Sequence, residues 1–241
     1  NNPGDTFWEE ASEVCWMAPG REGKSSFEPA GSLLKYAASL TEKSAVQRDG
    51  DHFTYKTICT NVVGLVCERA AGQSLAGLLE MKIWKKLRPE QDASIVTDST
   101  GFPYVGAGMS CCARDLAKFG LMLLNGGGAS DGTQVVPEAW VRRTAAANPQ
   151  LKKHYAESSY KNLFRGGHYC NQTWVDAEHD ALACIGIFGQ MVYVSKATDC
   201  VCVKLSSHPV PAQGRMFAHA FFACEQLCST LTAQGSSRSK L

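Results

Sequence analysis

The chain has 241 residues, of which 44% are hydrophobic and 20% charged, so it can bury a sizeable core without disulfide or metal cross-links. Its 24 basic and 23 acidic residues give a formal net charge of +1, with no long run of one sign. This balance of charges predicts no nucleic-acid partner. No apolar run reaches the roughly 18–20 residues that a membrane span needs, so no membrane partner is predicted.

Cysteine and histidine usage bears on redox compartment and metals. The chain has eleven cysteines, most of them inside apolar runs, where a free thiol acts as a small hydrophobic group. They form no C-x-x-C pair, which favours a reducing compartment. The six histidines show no paired-ligand spacing. We therefore expect no metal site and no organic cofactor.

The first part of the chain, residues 1–150, is predicted to be mainly helices and loops. Apolar spacing predicts a short helix over 32–40 and a second over 61–71, closed by Gly72. Ser74 is predicted to cap a third helix that ends before Pro89. Two more helices are expected, one capped by Ser110 and running to residue 124, and one with Pro137 as its first residue.

The second part, residues 151–234, has strand character followed by one clear helix. Strands are predicted within 168–175, 182–194 and 200–205, the last of them covered on both faces. Residues 215–231 repeat their apolar positions at helical spacing. The sequence thus predicts one α+β domain over 1–234, with a helical region, then antiparallel strands and a C-terminal helix. A flexible tail is expected over 235–241.

Tyr55 and Thr57 are the first candidate catalytic residues. A tyrosine just before a helix N-terminus can act as a general base if a nearby ammonium and oriented N–H groups lower its pKa from about 10. The Thr57 hydroxyl, two residues on, can hydrogen-bond the same site. The alternative is a buried tyrosine in a turn that introduces a helix.

Several segments in order resemble the β-lactamase/penicillin-binding-protein superfamily of serine hydrolases. They are most similar to class C β-lactamase-like esterases and amidases of the 6-aminohexanoate-dimer hydrolase group. The segments are Tyr55-x-Thr57, Thr60-Asn61-Val62-Val63-Gly64, Glu68-Arg69-Ala70-x-Gly72, Gly106-Ala107-Gly108-Met109-Ser110, Arg114 to Gly120, Leu123 to Gly127, Val136 to Val141, and Gly186 to Val194.

The resemblance implies a partial β-lactamase/transpeptidase-like fold and an acyl-enzyme mechanism on small amide or ester substrates. In this family a serine attacks the carbonyl, while a lysine and the tyrosine handle its proton. Backbone N–H groups stabilise the oxyanion, and one would come from Ile187 or Phe188 in the pocket strand that also contains Gly189. The Phe188 side chain would border the acyl pocket, or it is simply a core aromatic.

The family's S-x-x-K motif has a match ahead of the tyrosine, Ser32-x-x-Lys35, which lies too close to Tyr55 and has the pattern of an amphipathic helix. We therefore expect the nucleophile upstream of Asn1 and the 241-residue chain alone to be inactive. Two alternatives stay open. One is a non-catalytic homologue that binds a small carbonyl ligand, and the other is a degraded or mis-started gene product without a stable fold.

The last three residues, Ser239-Lys240-Leu241, match the peroxisomal address, which an import receptor reads at a free C-terminus. Together with the free cysteines, they predict the matrix of a peroxisome or a related, glycosome-like organelle. The alternative is a chance match of three residues.

Overall fold

The computed structural model describes residues 31–40, 50–146, 148–210 and 214–238. By their contacts these residues form two compact units. The first contains the chain up to Lys85 together with Asp92–Cys111, and the second contains Lys86–Gln91 together with the chain from Cys112. Each predicted site residue can therefore be placed within one of the two units.

The first unit is helical and carries a two-stranded antiparallel sheet. Its buried apolar core joins residues of the helices to the loop between the two strands: Leu33, Tyr36, Ile58, Leu75, Phe102 and Tyr104. Its elements are α1 (Leu33–Ser39), α2 (Thr57–Ala71), α3 (Leu75–Leu79), β1 (Ser94–Ile95) and β2 (Met109–Ser110). After α3 the chain continues as a π-helical segment (Glu80–Trp84) and a 3-10 turn (Lys85–Leu87).

The connection between α2 and α3 confirms two predicted caps. Gly72 takes the left-handed conformation (φ 62°) and its N–H donates to the Glu68 carbonyl. The Ser74 hydroxyl accepts from the Gly77 N–H at 3.3 Å. Helix α2 begins at Thr57, earlier than the predicted residue 61, because Thr57 and Ile58 are buried and packing stabilises the first turn.

The second unit is an antiparallel meander of five strands with four helices. The strands follow chain order across the sheet: β3 (His168–Cys170), β4 (Thr173–Asp176), β5 (Ala181–Ile185), β6 (Met191–Ser195) and β7 (Cys200–Lys204). The helices are α4 (Ala113–Leu124), α5 (Glu138–Ala145), α6 (Pro149–Glu157) and α7 (Gly214–Arg238).

Helices α4 and α7 pack on opposite faces of β6. Gly120 of α4 lies against Val192, and any side chain at this position would collide with neighbouring valines. The next strand residue, Tyr193, contacts Phe221 of α7 with ring centroids 6.2 Å apart. Because successive strand residues point to opposite faces, the sheet separates the two helices. The α+β class and the helix–strand–helix order are confirmed.

Several boundaries differ from the expectations. The run 168–175 is two strands, because Asn171 and Gln172 both take positive φ and reverse the chain. The run 182–194 is also two strands. Strand β7 is half-buried along its length, with Val201 facing α4 and Cys200 facing α7, so both of its faces are covered as expected. It ends the sheet order and lacks a further strand beside it among the described residues.

The helix ends also differ. Cys112, not Ser110, occupies the cap position of α4, and Pro137 is the cap of α5 rather than its first residue. Helix α7 runs to Arg238 and so includes residues 235–238, which were expected in the tail. Extension of a formed helix adds one hydrogen bond per residue, and no proline interrupts this segment.

Over the described ranges, no single helix is long and apolar enough to cross a membrane. Among the described helices, one bent pair reaches that length and composition when its two segments are counted together. The segments are Thr57–Ala71 and Leu75–Leu87, with a bend of 88° between them.

Asp115 anchors the start of α4 in the second unit. It is 1% exposed, and its carboxylate accepts from the backbone N–H groups of Glu90 at 2.7 Å and Gln91 at 3.0 Å. Burial alone would raise its pKa, but these bonds, the Cys112 thiol and the Lys118 ammonium lower the pKa of Asp115 to about 2. The charged form is therefore the one that stabilises the fold.

We expect Asp115→Asn to lower the free energy of unfolding by about 1–3 kcal/mol at pH 7, because two backbone donors lose a charged acceptor. A depressed folded-state pKa contributes stability above the unfolded value near 3.8, and this is lost as pH falls toward 2. Urea unfolding at several pH values should show the wild type approaching the variant in acid. Exposed Asp92→Asn is the control, and an equal deficit at pH 2.5 and pH 7 would contradict the expectation.

Candidate active site

Tyr55 lies in the extended segment that leads into α2. The next residue, Lys56, occupies the cap position with extended backbone (φ −139°, ψ 117°), and its side chain makes no capping hydrogen bond. Tyr55 is half-buried, whereas Lys56 is exposed. Since the first N–H groups of a helix lack intrahelical partners and carry partial positive charge, Tyr55 directly precedes an electropositive helix end.

Thr57 is the first residue of α2 and is 5% exposed. The backbone of Gly106 lies directly against its methyl group, at a distance that leaves no room for a side chain at position 106. The Gly106 N–H donates to Asn61 Oδ1 at 2.8 Å. The glycine-rich segment that resembles the family thus packs on the first turns of the helix that follows Tyr55.

Asn61 is a residue whose role was not apparent from the sequence. It is fully buried, and its Nδ2 has no hydrogen-bond partner among the described residues. It lies four residues after Thr57, on the same side of the helix. That spacing was the available signal, because Asn61 is a polar residue one turn beyond Thr57 and is followed by the apolar run Val62 to Val66.

Ser32 caps α1. Its hydroxyl accepts from the Lys35 backbone N–H at 3.1 Å, and Ser32 is 5% exposed while Lys35 is exposed. A Ser-x-x-Lys pair at a helix start is accounted for here by capping. The expectation that Ser32 is not the nucleophile stays a prediction.

Ile187, Phe188 and Gly189 lie in the second unit and form a 3-10 turn between β5 and β6, so their predicted strand conformation is wrong. Phe188 takes a left-handed conformation (φ 57°, ψ 20°), which ends the strand. The Gly186 N–H donates to the Gln190 carbonyl at 2.9 Å and closes the turn. The Phe188 side chain is half-buried.

This turn is fixed by residues that no sequence motif singled out. The His208 N–H donates to the Phe188 carbonyl at 3.0 Å, and the Lys204 ammonium donates to the Gly189 carbonyl at 3.1 Å. The same ammonium lies 3.1 Å from His208 Nε2. The imidazole of His208 covers Gly189, where a side chain would collide with the ring. Hydrogen bonds to the carbonyls of Phe188 and Gly189 thus hold the turn in place.

A second polar group in this unit joins the β4–β5 turn to α7. His179 Nδ1 lies 2.8 Å from Asp176 Oδ2 and 3.1 Å from Glu225 Oε1. Burial would lower the pKa of His179, but the hydrogen bond and charge of Asp176, with Glu225, raise it above its ordinary value. Burial raises the pKa of Glu225. Sequence spacing gave no sign of this cluster, because Glu225 comes from a distant helix.

The second unit also contains a pocket and several thiols with raised pKa values. A pocket of about 380 Å³ contains none of the predicted site residues; its lining includes Leu123, Val141, Arg142 and Lys196. Burial raises the pKa of three thiols, to about 11 for the half-buried Cys184 and Cys202 and to about 12 for the buried Cys228, which favours their protonated form. Ser239, Lys240 and Leu241 lie outside the described residues.

The fold and the ordered motifs define a hydrolase-type α+β protein. Comparison with known proteins identifies its family. Residues 3–222 match the Beta-lactamase family, and the chain belongs to that family. It is 37% identical over 160 residues to the 6-aminohexanoate-dimer hydrolase of Paenarthrobacter ureafaciens, covering 66% of this chain and 40% of that protein. The resemblance read from the sequence is confirmed.

Two solved structures share the fold. One is a Bacillus anthracis protein assigned as a 6-aminohexanoate-dimer hydrolase, with a TM-score of 0.74, 24% identity, and coverage of 88% of this chain and 51% of that one. The other is a Bacteroides dorei protein assigned as a β-lactamase, with a TM-score of 0.54, 14% identity, and coverage of 86% and 67%. The chain spans about half or less of the length of the dimer-hydrolase relatives.

The turn at Gly189 gives a testable consequence. Gly189 has φ 86° and lies against the His208 ring, whereas Gly132 has φ 85° and open space for 4 Å around the position that a Cβ would take. We expect Gly132→Ala to cost about 1 kcal/mol, from the positive φ alone. Gly189→Ala should cost about 1–3 kcal/mol more, because the methyl group also displaces His208.

Chemical denaturation of both variants measures the difference. The His208→Ala background is the control, since removal of the ring should reduce the extra loss at Gly189. Equal losses for the two alanine variants would show that His208 does not cover the turn in solution.

Proposed function

We propose that this chain is part of a serine hydrolase that cleaves amide or ester bonds of small substrates through an acyl-enzyme. The observation that carries the proposal is the position of Tyr55, one residue before the cap of α2, in a chain of the Beta-lactamase family. The homologous Paenarthrobacter enzyme is named for hydrolysis of the 6-aminohexanoate dimer. A small linear amide is accordingly the first substrate class to test.

In the proposed mechanism, Tyr55 receives the proton of an attacking serine and returns it to the leaving group. The free N–H groups at the α2 N-terminus, which follows Tyr55 in the chain, carry partial positive charge that can stabilise an anion. The Thr57 hydroxyl assists at the same helix end. By resemblance to the family, the N–H of Ile187 or Phe188 is the proposed oxyanion donor. Within the second unit, hydrogen bonds from His208 and Lys204 hold that turn in place.

The nucleophile in this proposal comes from an S-x-x-K segment that precedes this chain in a longer reading frame. The Ser-x-x-Lys match ahead of Tyr55 has a structural role, because the Ser32 hydroxyl caps α1. The fraction of the relatives' length that this chain spans leaves room for such a segment. The competing function is a non-catalytic homologue that binds a small carbonyl ligand without forming an ester.

We expect Tyr55→Phe, in the longest protein that the reading frame encodes, to lower kcat on small esters or amides by about 10²–10⁴-fold. The ring still packs, and only the proton-carrying hydroxyl is lost. Thr57→Val should have a milder effect. Initial rates together with thermal melting separate a loss of chemistry from a loss of fold.

Ser32→Ala is the matched control, and it should leave turnover unchanged while the loss of the cap costs about 1 kcal/mol of stability. The 241-residue chain alone should be inert. Unchanged turnover in Tyr55→Phe would remove Tyr55 from the mechanism. Ligand binding without labelling by a serine-directed covalent probe would instead favour the non-catalytic homologue.

We also propose import into the matrix of a peroxisome or glycosome-like organelle through Ser239-Lys240-Leu241. A fluorescent protein that ends in residues 232–241 should become punctate and overlap a matrix marker. Deletion of Leu241 should make it diffuse, because the receptor reads the complete terminal tripeptide. A diffuse signal that the deletion does not alter would contradict the assignment.

A further inference from the structure

The cluster of Asp176, His179 and Glu225 brings three metal-type ligand atoms together. The three atoms all lie within 4.8 Å of one another. One imidazole nitrogen faces two carboxylate oxygens, at 2.8 Å and 3.1 Å. A protonated Nδ1 would share one hydrogen between two carboxylate oxygens, whereas an unprotonated Nδ1 offers a lone pair. In the second case the three atoms are electron-pair donors close enough together to coordinate one small cation.

The negative charge of Asp176 and Glu225 also favours a bound cation. The Asp176 side chain is only 3% exposed, and Glu225 is 23% exposed. Among the ion pairs of the described residues, neither carboxylate has a lysine or arginine partner. Glu178 adds a further negative charge near His179. Buried carboxylates in proteins are normally paired with cations or coordinate metals, and among the described residues His179 is the single basic side chain paired with these two.

A buried hydroxyl is also directed at the cluster. Tyr193 is 1% exposed, and its hydroxyl lies 3.5 Å from Asp176 Oδ2, at the long limit of a hydrogen bond. A tyrosine in this position can donate to a metal-bound carboxylate and orient it. On the other side, the His179 side chain is 44% exposed, which gives an ion and its remaining water ligands a path from solvent.

We propose that Asp176, His179 and Glu225 bind a divalent transition-metal cation that joins the β4–β5 turn to α7. Two carboxylates and one imidazole suit Mn²⁺, Fe²⁺ or Zn²⁺, with water in the open positions. The site differs from the proposed hydrolase centre in residues and chemistry, and it does not depend on that activity. Its role is to fix the turn against the helix.

The test uses Mn²⁺, because the eleven cysteines of the chain would bind Zn²⁺ through their thiols. Electron paramagnetic resonance of free Mn²⁺ at pH 7.5 gives the affinity and stoichiometry of the full chain. We expect one site, and at least a 10-fold weaker affinity in His179→Ala and in Glu225→Gln. Mn²⁺ should raise the melting temperature of the wild type but not of these variants.

The controls are His219→Ala, an exposed histidine of α7, and Glu157→Gln, an exposed glutamate at the end of α6. Both should bind as the wild type does. Glu225→Gln keeps the size of the side chain, so it decides the result if His179→Ala alters the fold. Failure of the wild type to bind Mn²⁺, or equal binding by Glu225→Gln, would overturn the proposal whatever the hydrolase assays show.

Discussion

The pairing of β5 with β6 is the constraint on which the second unit depends. Its register runs from Ala181 opposite Ser195 to Ile185 opposite Met191, and the central residues are almost fully buried. A shift by one residue would turn every buried side chain to the other face of the sheet. Because burial fixes the register, it also fixes where the chain must turn at each end.

The two ends of this hairpin carry the two polar groups of the unit. At one end, only residues 186–190 connect the strands, and the reversal places Phe188 in the left-handed region. At the other end, Asp176 pairs with Ala181, so residues 177–180 must turn within four positions and present His179 to Asp176. Strand β5 therefore positions the candidate oxyanion turn through its pairing with β6 and the carboxylate–histidine cluster through its pairing with β4.

The strand length also separates the two groups chemically. Five paired residues at about 3.4 Å per residue set the ends roughly 14 Å apart. A cation held by Asp176 at one end cannot contact a carbonyl bound at Phe188 at the other. A metal there would act on stability, and the acyl transfer that we propose would draw only on the opposite end of the hairpin.

In the first unit, buried polar side chains hold loops against helices through hydrogen bonds. Asp98 is 6% exposed and accepts from the N–H groups of Leu33 and Phe102 and from Thr100. Burial would raise its pKa, but these hydrogen bonds hold the pKa of Asp98 below its ordinary value. Asp98 joins its loop to α1 through Leu33, just as Asn61 joins α2 to the loop at Gly106. The candidate Tyr55 lies just before α2.

Local chemistry explains what the sequence could predict. The Gly72 stop, the Ser74 cap and the apolar face of α7 depend on residues within a few positions, and all three were found. The turn at Phe188 was missed because a phenylalanine has no preference for positive φ, and only the strand register imposes it.

The Asp176 cluster was missed for a different reason. Its third member comes from α7, and no spacing rule connects a turn with a helix that packs on the far strands of the sheet. Ser32 illustrates a match in which a short catalytic pattern arises for a structural reason. Serine and lysine three residues apart satisfy a catalytic pattern, yet helix capping selects serine at the same position, and the backbone N–H of Lys35 already uses the hydroxyl oxygen as its acceptor.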